Sequence, residues 1–264
     1  MESSVRPSIC GDRRPSAQAV RLWRYEFKYV VPRHVRAPLV ADLRTFADPD
    51  RHADARGCYV VRSLYLDTHD FACFHEKLAG VSRRQKLRIR GYPDKDGRVS
   101  AAHFEIKYRS GNRISKDVAK LGLGDYQTLA PVLHMHRIPA WDWGNSAASG
   151  PALARFFAIK QMHAMTPVVN IQYRRQALFV RCDRRLRITF DDRLLARRAR
   201  DLRDAMGAAR PLLDRGDSIF EVKFDRRMPY WLARLIGKYH LRRDSISKYA
   251  YAVANGLFGM EGLF

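Results

Sequence analysis

Phe104-Glu105-Ile106-Lys107-Tyr108 alternates apolar and charged residues, and near copies recur as Tyr25-Glu26-Phe27-Lys28-Tyr29 and Phe220-Glu221-Val222-Lys223-Phe224. A period of two puts Glu and Lys on one face of a strand and the aromatic and branched residues on the other. Lys86-Leu87-Arg88-Ile89-Arg90 and Arg185-Leu186-Arg187-Ile188 keep the period with cations alone. The chain therefore places fixed charge on one strand after another. Alternation alone leaves two arrangements open. In one, the charged faces meet water and the apolar residues fill the inside, as in most half-buried strands. In the other, the charges face inward onto a ligand.

Outward from these blocks, strands are expected over Arg24–Val31, Tyr59–Asp67, Arg84–Gly91 and Val99–Tyr108. Further strands are expected over Val168–Tyr173, Gln176–Arg181, Arg185–Asp191 and Ser218–Phe224, with Leu194–Arg200 a further candidate. Pro93-Asp94-Lys95-Asp96-Gly97 has the chemistry of a hairpin turn. Pro32 opens a helix carrying Val35, Leu39, Leu43 and Phe46 on one face, with Pro38 as a candidate break. Phe71–Ala79, capped by Asp70 and ended by Gly80, reads as a short helix, as do Tyr126–His134, Pro151–His163, Pro229–Tyr239 and Lys248–Leu257. Helices do not alternate regularly with strands, which argues against a doubly wound parallel sheet. The expected class is α+β: a closed antiparallel β-barrel of about eight strands, short helices packed outside, and a C-terminal helix.

The chain of 264 residues carries 49 Lys and Arg against 27 Asp and Glu, a net charge of +22, which points to a polyanionic partner. Cys10, Cys58, Cys73 and Cys182 are scattered and form no Cys-x-x-Cys pair, so neither a zinc ribbon nor a redox motif is indicated. Residues 1–20, rich in Ser, Arg and Pro, read as a disordered tail, and 21–264 as one domain. No apolar run has the length of a membrane span, and a cytoplasmic location is expected. His134-x-His136 reads as a surface pair, and Trp141-Asp142-Trp143 as a loop anchored on the core. Of Asp191-Asp192, at most one side chain faces any interior, because neighbours on a strand point to opposite faces. There is no Gly-x-x-x-x-Gly-Lys loop, so phosphates would have to be held by side chains.

Further blocks share an order with those above: Arg62-Ser63-Leu64-Tyr65-Leu66-Asp67-Thr68, Ser115-Lys116, Tyr173-Arg174-Arg175, Arg187-Ile188-Thr189-Phe190-Asp191 and Ser247-Lys248-Tyr249. Together, from Arg24 onward, they resemble the polyphosphate polymerase domain of the vacuolar transporter chaperone (VTC) complex. That family sits among the triphosphate tunnel metalloenzymes, with the CYTH-type triphosphatases. The resemblance implies a tunnel lined with Lys, Arg and Glu, through which a triphosphate or polyphosphate chain threads. It implies inward-facing charges, which are tolerable because a phosphate chain supplies the counter-charge. By motif it assigns Lys28, Arg88, Arg90, Lys107, Lys116, Arg174, Arg187 and Lys248 to phosphate contact, with Lys223 a further candidate. Of these, Arg88, Arg90, Lys107, Arg174 and Arg187, with Glu221, form the implied catalytic set. Glu221 matches the ligand of a divalent metal, Mn²⁺ or Mg²⁺, with Glu26 and Glu105 as helpers. Asp244-Ser245-Ile246 departs from the fungal pattern, which has a second Lys there.

The implied activity is that of an ATP–polyphosphate phosphotransferase, which adds the γ-phosphate of ATP to a growing chain. Its partners would be ATP and inorganic polyphosphate rather than nucleic acid. Two rivals stand beside it: hydrolysis of tripolyphosphate or a nucleoside triphosphate on the same fold, and a non-catalytic polyphosphate-binding module.

Overall fold

The structure is a computed structural model that describes residues 22–51, 53–138 and 150–258. Strands β1 (Arg24–Val31), β2 (Ala47–Pro49), β3 (Cys58–Asp67), β4 (Arg83–Gly91), β5 (Ala101–Ser110) and β6 (Arg113–Gly122) form the first part, with helices α1 (Arg33–Arg44) and α2 (Ala72–Leu78) among them. Helices α3 (Leu123–Leu129) and α4 (Gly150–Met162) follow, with a 3-10 turn at Pro131–His134. The second part holds β7 (Thr166–Val180), β8 (Asp183–Arg198), β9 (Arg210–Pro211), β10 (Ser218–Phe224), α5 (Tyr230–Lys238), β11 (Arg243–Asp244) and α6 (Lys248–Ala252), which runs into a π-helical turn at Val253–Leu257. The expectations of a disordered tail over 1–20 and of a loop at Trp141–Trp143 fall outside the described residues.

All the pairings are antiparallel, and they run β7-β3-β4-β5-β6-β1-β10-β8. Because β8 pairs back with β7, the pairings close a ring of eight strands. The weakest seam lies between β6 and β1, which share only Arg24↔Ile114 and Tyr25↔Arg113. Beyond that point β1 carries β11 instead, through Lys28↔Asp244 and Tyr29↔Arg243. This pairing brings the following segment, Ile246–Lys248, to the cavity described below.

The facing question is settled by burial. Leu87, Ile89, Phe104 and Ile106 are buried in one apolar cluster with Phe156 and Phe157 of α4. Ile188, Phe190, Phe220 and Val222 are buried in another with Leu39 and Leu43 of α1 and Leu232 of α5. The apolar faces of the strands thus lie under helices, and the charged faces are left to the other side. Burying each such Leu or Phe contributes roughly 1.5–3 kcal/mol, so the helices fix which way the strands face.

Four local expectations change. Val168–Tyr173 and Gln176–Arg181 are one strand, β7, with a register irregularity between Gln172 and Arg174. Leu194–Arg200 is no separate strand, since β8 continues to Arg198. Helix α1 passes through Pro38 unbroken, with Leu39 and Leu43 anchoring it. Helix α2 is capped from upstream of Asp70: the Thr68 hydroxyl accepts from Ala72 N at 2.8 Å, and Asp67 Oδ1 from Cys73 N at 2.9 Å. Asp67 Oδ2 also accepts the Tyr249 hydroxyl at 2.5 Å, tying β3 to α6. Cys58 and Cys73 are buried free thiols, and Cys182 is exposed. Among the described residues no helix is long and apolar enough to cross a membrane.

Candidate functional site

Strand register sets charges side by side. Lys86 lies opposite Lys107, and Lys107 opposite Lys116, so three neighbouring strands carry a rung of three lysines. Arg84 lies opposite Arg109, and Arg187 opposite Lys223. Like charges directly opposite in a sheet are destabilising. Other rungs are balanced: Arg88 faces Glu105, Glu26 faces Lys223 and Lys28 faces Glu221. Most of these side chains, though not Glu105, Lys116 or Arg187, line a cavity of about 100 Å³, whose wall includes Lys28, Lys86, Arg88, Arg90, Lys107 and Arg175. Glu26, Glu221, Lys223 and Lys248 complete its charged lining, and Lys77, Arg84 and Arg109 also border it.

The carboxylates hold the cations in place. Lys107 Nζ reaches Glu26 at 2.7 and 3.0 Å, although β5 and β1 are not neighbours in the ring. Lys28 Nζ sits 3.4 Å from Glu26 and 3.5 Å from Glu221, and Lys223 pairs with both carboxylates. Arg88 contacts Glu105 at 2.5 Å and the Tyr65 hydroxyl at 3.4 Å. Arg90 donates to Ser63 Oγ at 3.3 Å and to the Tyr173 hydroxyl at 3.1 Å. Arg175 forks onto Asp191 at 2.6 and 2.8 Å, and Lys248 Nζ meets the same carboxylate at 2.6 Å.

Burial works against every one of these charges, and the neighbours decide the outcome. Burial would raise Glu221, but Lys223, Lys28 and Lys248 hold it well below the usual carboxylate range. Burial likewise opposes the charge on Glu105, which Arg88, Arg90 and Lys116 keep well below that range. Asp191 is held at about 2: burial opposes its charge, and Arg175 and Lys248 outweigh it. For Lys86, Lys107, Lys116 and Lys223 burial wins and pulls the ammonium down, furthest at Lys107 and Lys86. It pulls Lys107 down to about 7 against the pull of Glu26, and Lys86 down to about 8 against Cys73 and Asp67.

Seven of the residues picked from sequence, Lys28, Arg88, Arg90, Lys107, Glu221, Lys223 and Lys248, line the cavity together. Lys116 reaches Glu105 at 3.2 Å from the edge, with its side chain 57% exposed. Arg187 turns away from Lys223, donating to the Tyr59 hydroxyl at 3.0 Å and lying 3.6 Å from Asp50. Arg174 is a correction. It forks onto Asp192 at 2.8 and 2.8 Å, beside Arg36 of α1, outside the cavity. Tyr173 and Arg175 share the inward face, and Arg174 between them must point out. The same parity sends Asp191 in and Asp192 out. Sequence reasoning passed over Arg175 and Lys86; Lys86 was legible from its period with Arg88 and Arg90.

This placement predicts a stability difference. Arg175→Ala leaves Asp191, which is fully buried, with Lys248 alone, and should cost about 3–5 kcal/mol. Arg174→Ala leaves Asp192 paired with Arg36 and should cost much less. Urea midpoints of the two variants measure this, and equal midpoints would refute the assignment of faces.

Glu221 and Glu26 share Lys28 and Lys223, so the two carboxylates converge on one locus. Thr189, opposite Glu221 in register, has a buried hydroxyl that makes no hydrogen bond. Among the described residues no three carboxylate, imidazole or thiol groups could hold a metal by themselves. The donor set therefore fits a hard dication only as a partial shell, one or two carboxylates completed by phosphate oxygens and water, which is how Mg²⁺ is usually held. His134 and His136 are exposed and belong to no such group.

Comparison with solved structures finds similarity at low identity, and only the first match below reaches a TM-score of 0.50. A Bacillus halodurans protein described as a candidate adenylate cyclase matches with a TM-score of 0.50 and 13% identity, over 86% of this chain and 95% of that one. A Pyrococcus horikoshii protein matches with a TM-score of 0.42 and 10% identity, over 86% of this chain and 96% of its own. A conserved hypothetical protein from Pyrococcus furiosus has the same TM-score of 0.42 and 10% identity, over 87% and 99%. No curated protein matches the chain by sequence. The family model of the VTC domain matches residues 23–256, and the chain belongs to that family.

Proposed function

We propose that the protein is a metal-dependent polyphosphate polymerase, transferring the γ-phosphoryl group of ATP to the end of a growing phosphate chain inside the ring. The observation that carries this reading is the facing pair Lys86 and Lys107 in the cavity wall, continued by Lys116 at its edge, with the rung Arg84–Arg109 beside it. Such rungs cost stability in an empty cavity and are relieved by a polyanion that runs along them. A terminal phosphate oxygen of the acceptor attacks the γ-phosphorus. The bond from that phosphorus to the bridging oxygen breaks, and ADP leaves. The attacking oxygen is already anionic, so no protein base is needed. The work of the site is alignment and charge neutralisation. Arg88 and Arg90 offer fixed forks to the transferring group, and Lys28, Lys107 and Lys223 hold the flanking oxygens. Glu221, with Glu26, would hold Mn²⁺ or Mg²⁺, which supplies further charge neutralisation at phosphate oxygens when bound.

Two lysines make binding sensitive to pH. Lys107, at about 7, and Lys86, at about 8, are only partly protonated near neutrality, and a phosphate chain favours their charged forms. Binding should therefore take up protons, and tripolyphosphate affinity should fall as pH rises from about 7 to 9. The free protein should respond in the opposite sense. Its unfolded chain keeps these lysines protonated up to about 10.4, so their contribution to stability rises with pH through that window. Titrations across this range should show both trends, and Lys107→Gln should reduce both, leaving the part that Lys86 carries. A pH-independent affinity in the wild-type protein would contradict the reading.

The deciding assay is incubation with ATP and Mn²⁺, followed by gel separation of long chains from free phosphate. Long chains support polymerisation. Free phosphate alone would indicate hydrolysis on the same fold, and binding without turnover would indicate a non-catalytic module.

A further inference from the structure

A second concave surface lies on the outer side of the ring, where α1 approaches β7, β8 and β9. It has a volume of about 1090 Å³, and among the described residues seven arginines line it against three aspartates. Two of those acids are already engaged. Asp192 takes Arg36 and Arg174, and Asp217 accepts the backbone N–H of Arg33 at 3.1 Å. The Asp192 side chain is only 4% exposed, so it holds the two guanidinium groups in a fixed place at the groove. Arg33, Arg56, Arg193 and Arg215 line the same groove and are exposed. Arg174 and Arg175 follow one another on β7 and face opposite sides, so the sheet itself separates this groove from the inner cavity.

We infer that this outer groove is a second anion site that binds bare phosphate chains, that is, inorganic polyphosphate. Planar guanidinium forks suit the paired oxygens of phosphate groups, and several in one concavity can engage successive units of a chain. A single-stranded nucleic acid fits less well. Such sites combine cations with aromatic side chains on which bases stack, and among the described residues no Phe, Tyr, Trp or His lines this groove. The inference rests on the groove alone and stands whether the inner cavity polymerises, hydrolyses or only binds.

The test is calorimetric titration with tripolyphosphate at physiological salt, on the full chain. The wild-type protein should bind two equivalents. Arg56→Glu/Arg215→Glu should lose the outer equivalent, its affinity falling by roughly tenfold or more. Arg90→Ala should weaken only the inner one. Arg226→Glu/Arg227→Glu makes the same charge change at exposed positions outside the groove and should keep both equivalents. The milder Arg56→Gln/Arg215→Gln, with a melting curve for each variant, separates lost binding from lost fold. Equal losses in the Arg226/Arg227 control would overturn the inference in favour of general surface charge. Displacement of the outer equivalent by oligothymidylate at the same concentration of phosphate groups would overturn it in favour of nucleic acid. If Arg90→Ala changes nothing while Arg56→Glu/Arg215→Glu removes an equivalent, the reading of the inner cavity fails and the outer site stands.

Discussion

Arg90→Ala is expected to reduce turnover of ATP into phosphate chains by roughly 10- to 150-fold while leaving the fold intact. The figure corresponds to one charge-assisted phosphate contact, about 1.5–3 kcal/mol. Arg90 is a cleaner probe than Arg88 for a structural reason. Arg90 is held by the hydroxyls of Ser63 and Tyr173, so its removal strands no buried charge. Arg88 is the close partner of Glu105, which is 1% exposed and would be left with Lys116. Arg88→Ala should therefore lose turnover and stability together, and Arg90→Ala turnover alone. Steady-state rates beside urea midpoints separate the two. Wild-type turnover in Arg90→Ala would place the chemistry elsewhere.

Glu221→Gln should abolish most metal-dependent turnover, by on the order of 100-fold or more, and yet keep or strengthen phosphate-chain binding without metal. The amide keeps the shape but removes the anionic oxygen that a hard dication requires. One negative charge also leaves a cavity where Lys28 and Lys223 already crowd the carboxylates, so the chain meets a stronger positive field. Chelation of the metal in the wild-type protein should imitate the variant in turnover. Turnover with ordinary metal dependence in Glu221→Gln would move the metal to Glu26 or Asp191. Weaker metal-free binding would instead mean that Glu221 serves mainly to position Lys28 and Lys223.

The period-two blocks at Tyr25–Tyr29, Lys86–Arg90, Phe104–Tyr108 and Phe220–Phe224 were enough to predict strands, and to put Lys28, Arg88, Arg90, Lys107, Glu221 and Lys223 on the charged faces of those strands. Alternation is local, because each residue's side is fixed by its neighbour's. What alternation could not decide is which side becomes the inside. That depended on helices distant in sequence, α1 and α4 above all, covering the apolar faces. Parity within a single strand also fails as a guide where no block fixes its origin. Arg174 and Arg175 are adjacent cations, and only the packing of Tyr173 inward and Asp192 outward tells them apart. Contacts across the ring lie further still from the sequence. Lys107 meets Glu26 across two unpaired strands, and Lys248 meets Asp191 from a helix. The sequence alone determined most of the strands, their charged faces and the family, but not β6, β11 or the continuity of β7 and β8. The tertiary structure decided which face encloses the cavity and which charges meet there, because burial and ring closure depend on residues far apart in the chain.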